Sequence, residues 1–372
     1  MSALFSPLQI GPLTLENRIV IAPMCQYAVA GGTAGDWHKG HIGHLAMSGA
    51  GLFIIEATAV SAEGRISPQD LGLYSDENEA GLAEALAVAR AAAPDAAIAI
   101  QLGHAGRKAS SSSPFNGGAQ IAPEEADGWR TVAPSAIPHG EGEVPPLALD
   151  EAGMAKVVAD FVKAAERSVR LGFAGIELHM AHGYLLHQFL SPLSNQRNDA
   201  YGGDIEGRMK FPLEVFAAVR AAVPDSVPIW ARLSATDWAP GGLEVEEAIE
   251  VCKALEAAGS AAIHVSSGGL STAQEIPVGP GYQVHLATAA KEAVNIPVMA
   301  VGLITEPAEA EAIVAEGKAD AVAMARAFLW NPRWPWHAAA ELGAKVAAPK
   351  QYWRSAPHGT QPPFRGFKHG QR

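Results

Sequence analysis

The chain is short of cysteine, of basic charge and of long apolar runs. Cys25 and Cys252 are its only cysteines in 372 residues. Two are too few to staple a disulfide scaffold and suit a reducing compartment, so a cytoplasmic protein is expected. Lys and Arg number 27 against 39 Asp and Glu, a formal net charge of −12. A dedicated nucleic-acid binder needs a basic face to offset phosphate charge, so nucleic acid is not an expected partner. The longest uncharged stretches, residues 19–35 and 257–274, are broken by Pro, Gln, Ser, His and Gly. Neither reads as a membrane span, and Met1 to Gly11 lacks the cationic and apolar regions of a signal peptide. No G-x-G-x-x-G follows a candidate strand and no G-x-x-x-x-G-K-[ST] occurs, which removes the main supports for dinucleotide and P-loop folds.

What is present is a 48% hydrophobic chain in which short apolar runs alternate with helix-period segments up to about residue 330. Eight runs read as strands: Ile19–Ala22, Leu52–Glu56, Ala97–Leu102, Gly175–His179, Pro228–Leu233, Ala262–Ser266, Pro297–Val301 and Ala321–Ala325. Each is nearly free of charge, as expected of parallel strands buried on both faces. Asp150 can cap a helix whose apolar positions Met154, Val157, Val158, Phe161, Val162 and Ala165 repeat at helical spacing, with Gly172 as its stop. Thr305 can cap another that has Pro307 in its first turn and Gly317 after its last. Eight strand–helix units make an α/β fold, a (β/α)8 TIM barrel, the economical solution, although a doubly wound sheet uses similar units. The expectation is one domain over residues 1–372, with the barrel at about 17–340 and a C-terminal tail at about 341–372. Residues 103–149, rich in Ser, Pro, Gly and acidic residues, leave the third strand where barrel enzymes place their sites, and are expected to form a partial lid. The tail, with Tyr352 and Trp353 after Trp330, Trp334 and Trp336, must pack on its own barrel or on a partner subunit.

Polar residues at the C-terminal ends of barrel strands are the first candidates for function. Here they include Gln26 and Tyr27, Glu56, Gln101, Glu177, His179, His182, Tyr184, Arg232, Ser266 and Ser267. Gly302 after the seventh strand and Arg326 after the eighth suit a phosphate, the glycine admitting close approach of the backbone and the arginine forking onto oxygens. Taken alone they also read as a glycine turn and a surface arginine. His179 and His182 admit three roles: a metal pair, structural histidines, or neutral donors gripping a substrate oxygen beside Tyr184 as a proton source. No obvious third metal ligand stands nearby in sequence, and no metal is expected. Cys25 reads as a small buried hydrophobe, and Cys252 as packing in a helix.

The segment from His179 through Met180, Ala181, His182, Gly183 and Tyr184 to Pro192, continued by Asn195, Arg197, Asp199 and Tyr201-Gly202-Gly203, resembles the signature of the old yellow enzymes. These are flavin-dependent ene-reductases on a (β/α)8 barrel. Asn17-Arg18, Pro23 to Tyr27, Glu56-Ala57-Thr58, Gly106-Arg107-Lys108-Ala109, Val301 to Thr305 and Arg326 extend the resemblance over nearly the whole chain. Cys25 and Tyr27, with Gln351-Tyr352-Trp353-Arg354, place it beside the bacterial thermophilic-like subclass that includes xenobiotic reductases.

The resemblance implies a bound FMN across the barrel mouth. Gln101 and Arg232 would hold its pyrimidine edge, and Ala22, Pro23, Met24, Cys25 and Ala57 would line the ring. Gly302, Ala325 and Arg326, with Ser266 or Ser267, would take the phosphate. It implies hydride transfer from NADPH, preferred over NADH, to flavin N5 and then, in a second half-reaction, to the β-carbon of an activated alkene. His179 and His182 would bind the carbonyl oxygen and Tyr184 would protonate the α-carbon. Cys25 would modulate the flavin. Tyr27 would border the substrate pocket, Trp353 would help close it, and Arg354 would reach the site of a neighbour in a homodimer or homotetramer. The rival readings are a dihydrouridine-synthase-like or dihydroorotate-oxidising flavin barrel, a metal-dependent barrel lyase or aldolase with His179 and His182 as ligands, and a non-catalytic FMN-binding or storage protein.

Overall fold

The computed structural model describes residues 2–356 and 361–367. All eight expected runs form strands: β1 (Ile19–Ile21), β2 (Leu52–Ala59), β3 (Ile98–Gly103), β4 (Ile176–Met180), β5 (Ile229–Ser234), β6 (Ile263–Ser266), β7 (Val298–Ala300) and β8 (Ala321–Met324). Each pairs in parallel with its predecessor, and β8 closes on β1 through Val322 opposite Ile19 and Met324 opposite Ile21. The helices are α1 (Asp36–Ala46), α2 (Asp76–Ala92), α3 (Glu151–Arg170), α4 (Leu185–Leu190), α5 (Ile205–Ala222), α6 (Val245–Ala257), α7 (Val284–Ala293), α8 (Pro307–Ala315), α9 (Arg326–Trp330) and α10 (Trp334–Glu341). The result is the expected (β/α)8 barrel.

The strands carry two cores because side chains alternate faces along a strand. Ile19, Ile21, Ile176 and Leu178 point outward into the layer shared with the helices, while Val20, Ala22, Leu52, Ile54, Ala99, Trp230, Met299 and Ala321 fill the lumen. A hairpin absent from the sequence reading, Leu8–Ile10 with Leu13–Leu15, adds Leu8, Ile10 and Leu15 to the lumen core. Its turn residue Gly11, at φ +54°, lies against Pro228 and Ala261, which precede β5 and β6, so the hairpin plugs the N-terminal end of the barrel.

Asp150 caps α3 as expected, accepting from the Gly153 amide at 2.7 Å, and Met154, Val157, Phe161 and Ala165 are buried. The start of α8 differs: Glu306 occupies the cap position without a side-chain bond, and the Thr305 hydroxyl bonds the Glu306 carboxylate instead. β2 runs to Ala59, past the expected end at Glu56, with a register shift against β3 between Ile55 and Ala57.

Residues 104–149 run over the loops at the C-terminal ends of the strands. Arg107 donates to the carbonyls of Ile137, Pro138 and Leu270, Trp129 to that of Glu63, and Phe115 meets Tyr27 edge-on at 5.9 Å. The tail packs on its own barrel at the other end. Val346 and Phe364 join Trp336 and Ala339 in a small core, the Ala347 carbonyl lies over Gly49, and Arg365 pairs with Glu16.

Candidate active site

The same alternation that fills the lumen sends Gln101, Glu177, His179, Arg232, His264 and Ser266 inward from β3, β4, β5 and β6, all buried. Glu177 is the hub of this group. Its carboxylate accepts from Gln101 Nε2, Trp230 Nε1 and His264 Nδ1, each at 2.7 Å. Burial would raise this carboxyl, but His264, then the Arg232 charge and the Trp230 indole, hold it below its ordinary range. Burial lowers the Arg232 guanidinium, and its Nε has no hydrogen-bond partner among the described residues. An inward-facing arginine with an orphaned donor is a site made for an acceptor.

That acceptor has room. A cavity of about 220 Å³ is lined by His182, Arg232, Ser266, Ser267, Gly302 and Arg326. Gly302 stands at φ +134°, where an added Cβ would lie 3.1 Å from the Gln283 backbone nitrogen. Ala325 and the exposed Arg326, which opens α9, complete this end of the cavity. Ala22, buried with the lumen core just after β1, leads into Pro23, Met24 and Cys25, all half-buried. Gln26 N donates to Glu56, whose other oxygen takes His38 of α1 at 2.9 Å, so α1 anchors the loop. The orphaned Arg232 donor, the cradle at Gly302 and the paired seryl hydroxyls fit a flavin mononucleotide: cation and amide for a polar ring edge, glycine and arginine for a phosphate.

Beside this cavity His179 and His182 form a directed relay. The Ala181 amide donates to His179 Nδ1 at 3.2 Å, which leaves the proton of a neutral imidazole on Nε2. That Nε2 faces His182 Nδ1 at 3.3 Å, and His182 Nε2 in turn meets Ser266 Oγ at 2.8 Å. Burial, then the Arg232 charge, pushes both rings well below the ordinary histidine value, so both are neutral. The Tyr184 ring stands edge-on to His179 at 4.7 Å. Burial and the Cys25 and Tyr27 groups push its phenol well above 10, and it keeps its proton.

Close backbone contacts hold this arrangement. His182 (φ +57°) and Gly183 (φ +73°) both take left-handed conformations, and a Cβ on Gly183 would strike the Gly269 carbonyl at 2.2 Å. Lys108 Nζ donates to the carbonyls of His182 and Gly269 and lies 5.2 Å from the Tyr184 ring centre. On the far side His187 Nδ1 accepts from Gly183 N at 2.8 Å, and its Nε2 lies 3.0 Å from Asp237, which also takes the Ser191 hydroxyl. Ala57, Asp70, His179 and Tyr184 border a small cavity of about 20 Å³. Cys25 and Tyr27 adjoin it electrostatically: burial first, then Asp70 and Glu56, raises the Cys25 thiol, and burial, then Cys25, raises the Tyr27 phenol.

Of the expected site residues, the structure brings His182, Arg232, Ser266, Gly302, Ala325 and Arg326 to one cavity and sets His179 and Tyr184 beside it, while Gln101 points into the lumen outside that lining. Sequence reading gives no role to Glu177 as a hub, to Lys108, Asp70 or His264, or to the His187–Asp237 pair. Trp353, expected to help close the substrate pocket, lies on the tail. Its indole donates to the Ala348 carbonyl and stacks edge-on with Phe367, in the tail that packs at the N-terminal end of the barrel. Arg354 is exposed on the same tail, at the opposite end from Tyr184 of its own chain. Among the described residues no three or more His, Cys, Asp or Glu groups gather as metal ligands. None of the described helices is long and apolar enough to cross a membrane.

A model of the NADH:flavin oxidoreductase / NADH oxidase family matches residues 3–344. The chain belongs to that family. The NADPH dehydrogenase of Geobacillus thermodenitrificans is 43% identical over 355 residues, 95% of this chain and 98% of that protein. The NADPH dehydrogenase of Listeria innocua is 44% identical over 95% of this chain and 99% of its own. Among solved structures, morphinone reductase in complex with tetrahydroNAD superposes with a TM-score of 0.73 at 28% identity, over 93% of this chain and 92% of that one. The old yellow enzyme resemblance is borne out: the protein is a flavin oxidoreductase on a TIM barrel, with FMN as its cofactor.

Proposed function

We propose that this oxidoreductase reduces the activated C=C bond of α,β-unsaturated carbonyl compounds, taking hydride from NADPH in preference to NADH. NADPH and the alkene are used in turn, in a ping-pong order. The observation that carries the reading is the neutral His179–His182 relay with a protonated Tyr184 against it, beside an orphaned Arg232. Bound FMN supplies the two-electron carrier between NADPH and the alkene. A substrate carbonyl oxygen competes with His182 Nδ1 and Ser266 Oγ for the two imidazole N–H donors, and those donors favour the charge that develops on it. Tyr184 delivers its proton to the α-carbon. Tyr27 borders the alkene, with the Phe115 segment of residues 104–149 as partial lid above it. Cys25 sits at the mouth as a modulator. Cys25 and Cys252 are both free thiols, in keeping with a cytoplasmic protein. Residues 1–372 act as one FMN-binding domain.

The chain assembles as a homodimer or homotetramer in which Arg354 reaches a neighbouring site. Supporting this, Arg354 and Tyr352 lie exposed on the tail, and Trp330 is 91% exposed.

Tyr184→Phe separates the two half-reactions. Reduction of the enzyme by NADPH should stay at the parent rate, while reoxidation by 2-cyclohexenone slows roughly a hundredfold or more, the usual worth of a general acid. Equal loss in both halves contradicts the role given to Tyr184.

A further inference from the structure

Gln101 and Arg232 both point into the lumen, Arg232 lining the cavity, and Glu177 bonds the first and feels the charge of the second. Resting on FMN as the cofactor, we propose that Glu177 is a positioning residue that fixes which way the Gln101 amide faces, so that the site reads an N–H flanked by carbonyls, the imide edge of a flavin.

An ionised carboxylate only accepts hydrogen bonds, so the group that Gln101 turns toward Glu177 Oε1 must be its amide nitrogen. The other oxygen, Oε2, is taken by the Trp230 and His264 donors. With its nitrogen held, Gln101 presents its carbonyl oxygen, and among the described residues nothing donates to that oxygen. Across β4, which carries Glu177, Arg232 of β5 presents donors, one of them without a partner among the described residues. An acceptor next to donors is the complement of an imide N–H next to its carbonyl oxygens. A freely turning Gln101 would offer the wrong group half the time. The carboxylate removes that ambiguity, and Trp230 and His264 hold the carboxylate.

Glu177→Gln reverses the pattern. Trp230 and His264 need an acceptor, so they keep the new carbonyl oxygen and the new amide nitrogen faces Gln101. Gln101 then turns its own carbonyl inward and its nitrogen toward the flavin N–H, donor against donor. Adding Gln101→Glu restores the pattern, because one oxygen of the new carboxylate accepts from the amide introduced at position 177 and the other faces the imide. A purely structural Glu177 gives no reason for this swap to rescue anything.

The test is the rate at which the holoenzyme releases FMN, followed by the recovery of free-flavin fluorescence on dilution. Glu177→Gln should release FMN about tenfold faster or more, the effect of one buried donor left unpaired. The double variant should return to within about threefold of the parent, since the two changes are coupled and not additive. A parent-like rate in Glu177→Gln, or a double variant as fast as the single one, overturns the proposal. Should Glu177→Gln not fold, the double variant decides alone: folded with a near-parent rate supports the proposal, and failure to fold or fast release overturns it. A parent that holds no FMN overturns the cofactor reading instead.

Discussion

Asp70 is a buried carboxyl lifted to about 6 by loss of solvent, against the pull of three donors from Ile66 N, Ser67 N and Ser67 Oγ. Its unfolded value lies near 3.9, so the folded chain binds this proton more tightly. The stability it contributes is present below about pH 4 and is lost as pH rises through about 6. Asp70→Asn keeps the bonding, since an amide can accept the two backbone donors and donate to Ser67 Oγ. Measured by urea unfolding, the variant should gain on the parent by on the order of 2–3 kcal/mol between pH 4 and pH 7.5. A difference that stays flat with pH contradicts the assignment. Nothing in the sequence near Asp70 marked it, because its pKa comes from burial that only the folded chain creates. Glu177 was more legible than the sequence reading made of it. The step of two between Glu177 and His179, and between Trp230 and Arg232, places each pair on one face of its strand. Parity along the strands, applied to polar residues as well as apolar ones, was the available signal.

The eight strands were visible because a parallel strand covered on both faces has no polar side to interrupt it, as in Ile229–Ser234, buried throughout. The hairpin Leu8–Ile10 with Leu13–Leu15 escaped because Gln9 and Thr14 break it into isolated apolar residues, whereas the equally short β1 and β7 lie in unbroken apolar runs. Helix starts were legible where a side chain caps them. Asp150→Ala should lower the stability of the chain by about 1 kcal/mol, read from the urea midpoint, and leave both half-reaction rates unchanged. A loss of reoxidation rate would mean that α3 does more than pack. Lys108 and His187 escaped for the opposite reason. Their roles lie in contacts with Gly269 and Asp237, far away in sequence, which tie the His182–Tyr184 turn to other loops.

At the scale of the whole molecule the barrel separates two tasks. The C-terminal ends of the strands carry the cavity and the relay under residues 104–149, while the N-terminal end is closed by the hairpin and covered by the tail. The aromatic tail was expected to pack on something, but its residues carry no mark of which end of the barrel receives it. With Arg354 at the far end of its own chain, only a second copy can bring it to an active site. Sedimentation at assay concentration should therefore find a dimer or larger. An active monomer would remove the shared-site proposal and leave the ene-reductase reading standing.

That reading meets its most direct test in an anaerobic visible spectrum of the purified protein, recorded alone, after NADPH and after 2-cyclohexenone. The account predicts flavin bands that bleach with NADPH and return with the enone. Bands that bleach with NADPH but do not return with the enone would contradict the proposed reaction while leaving the flavin oxidoreductase intact.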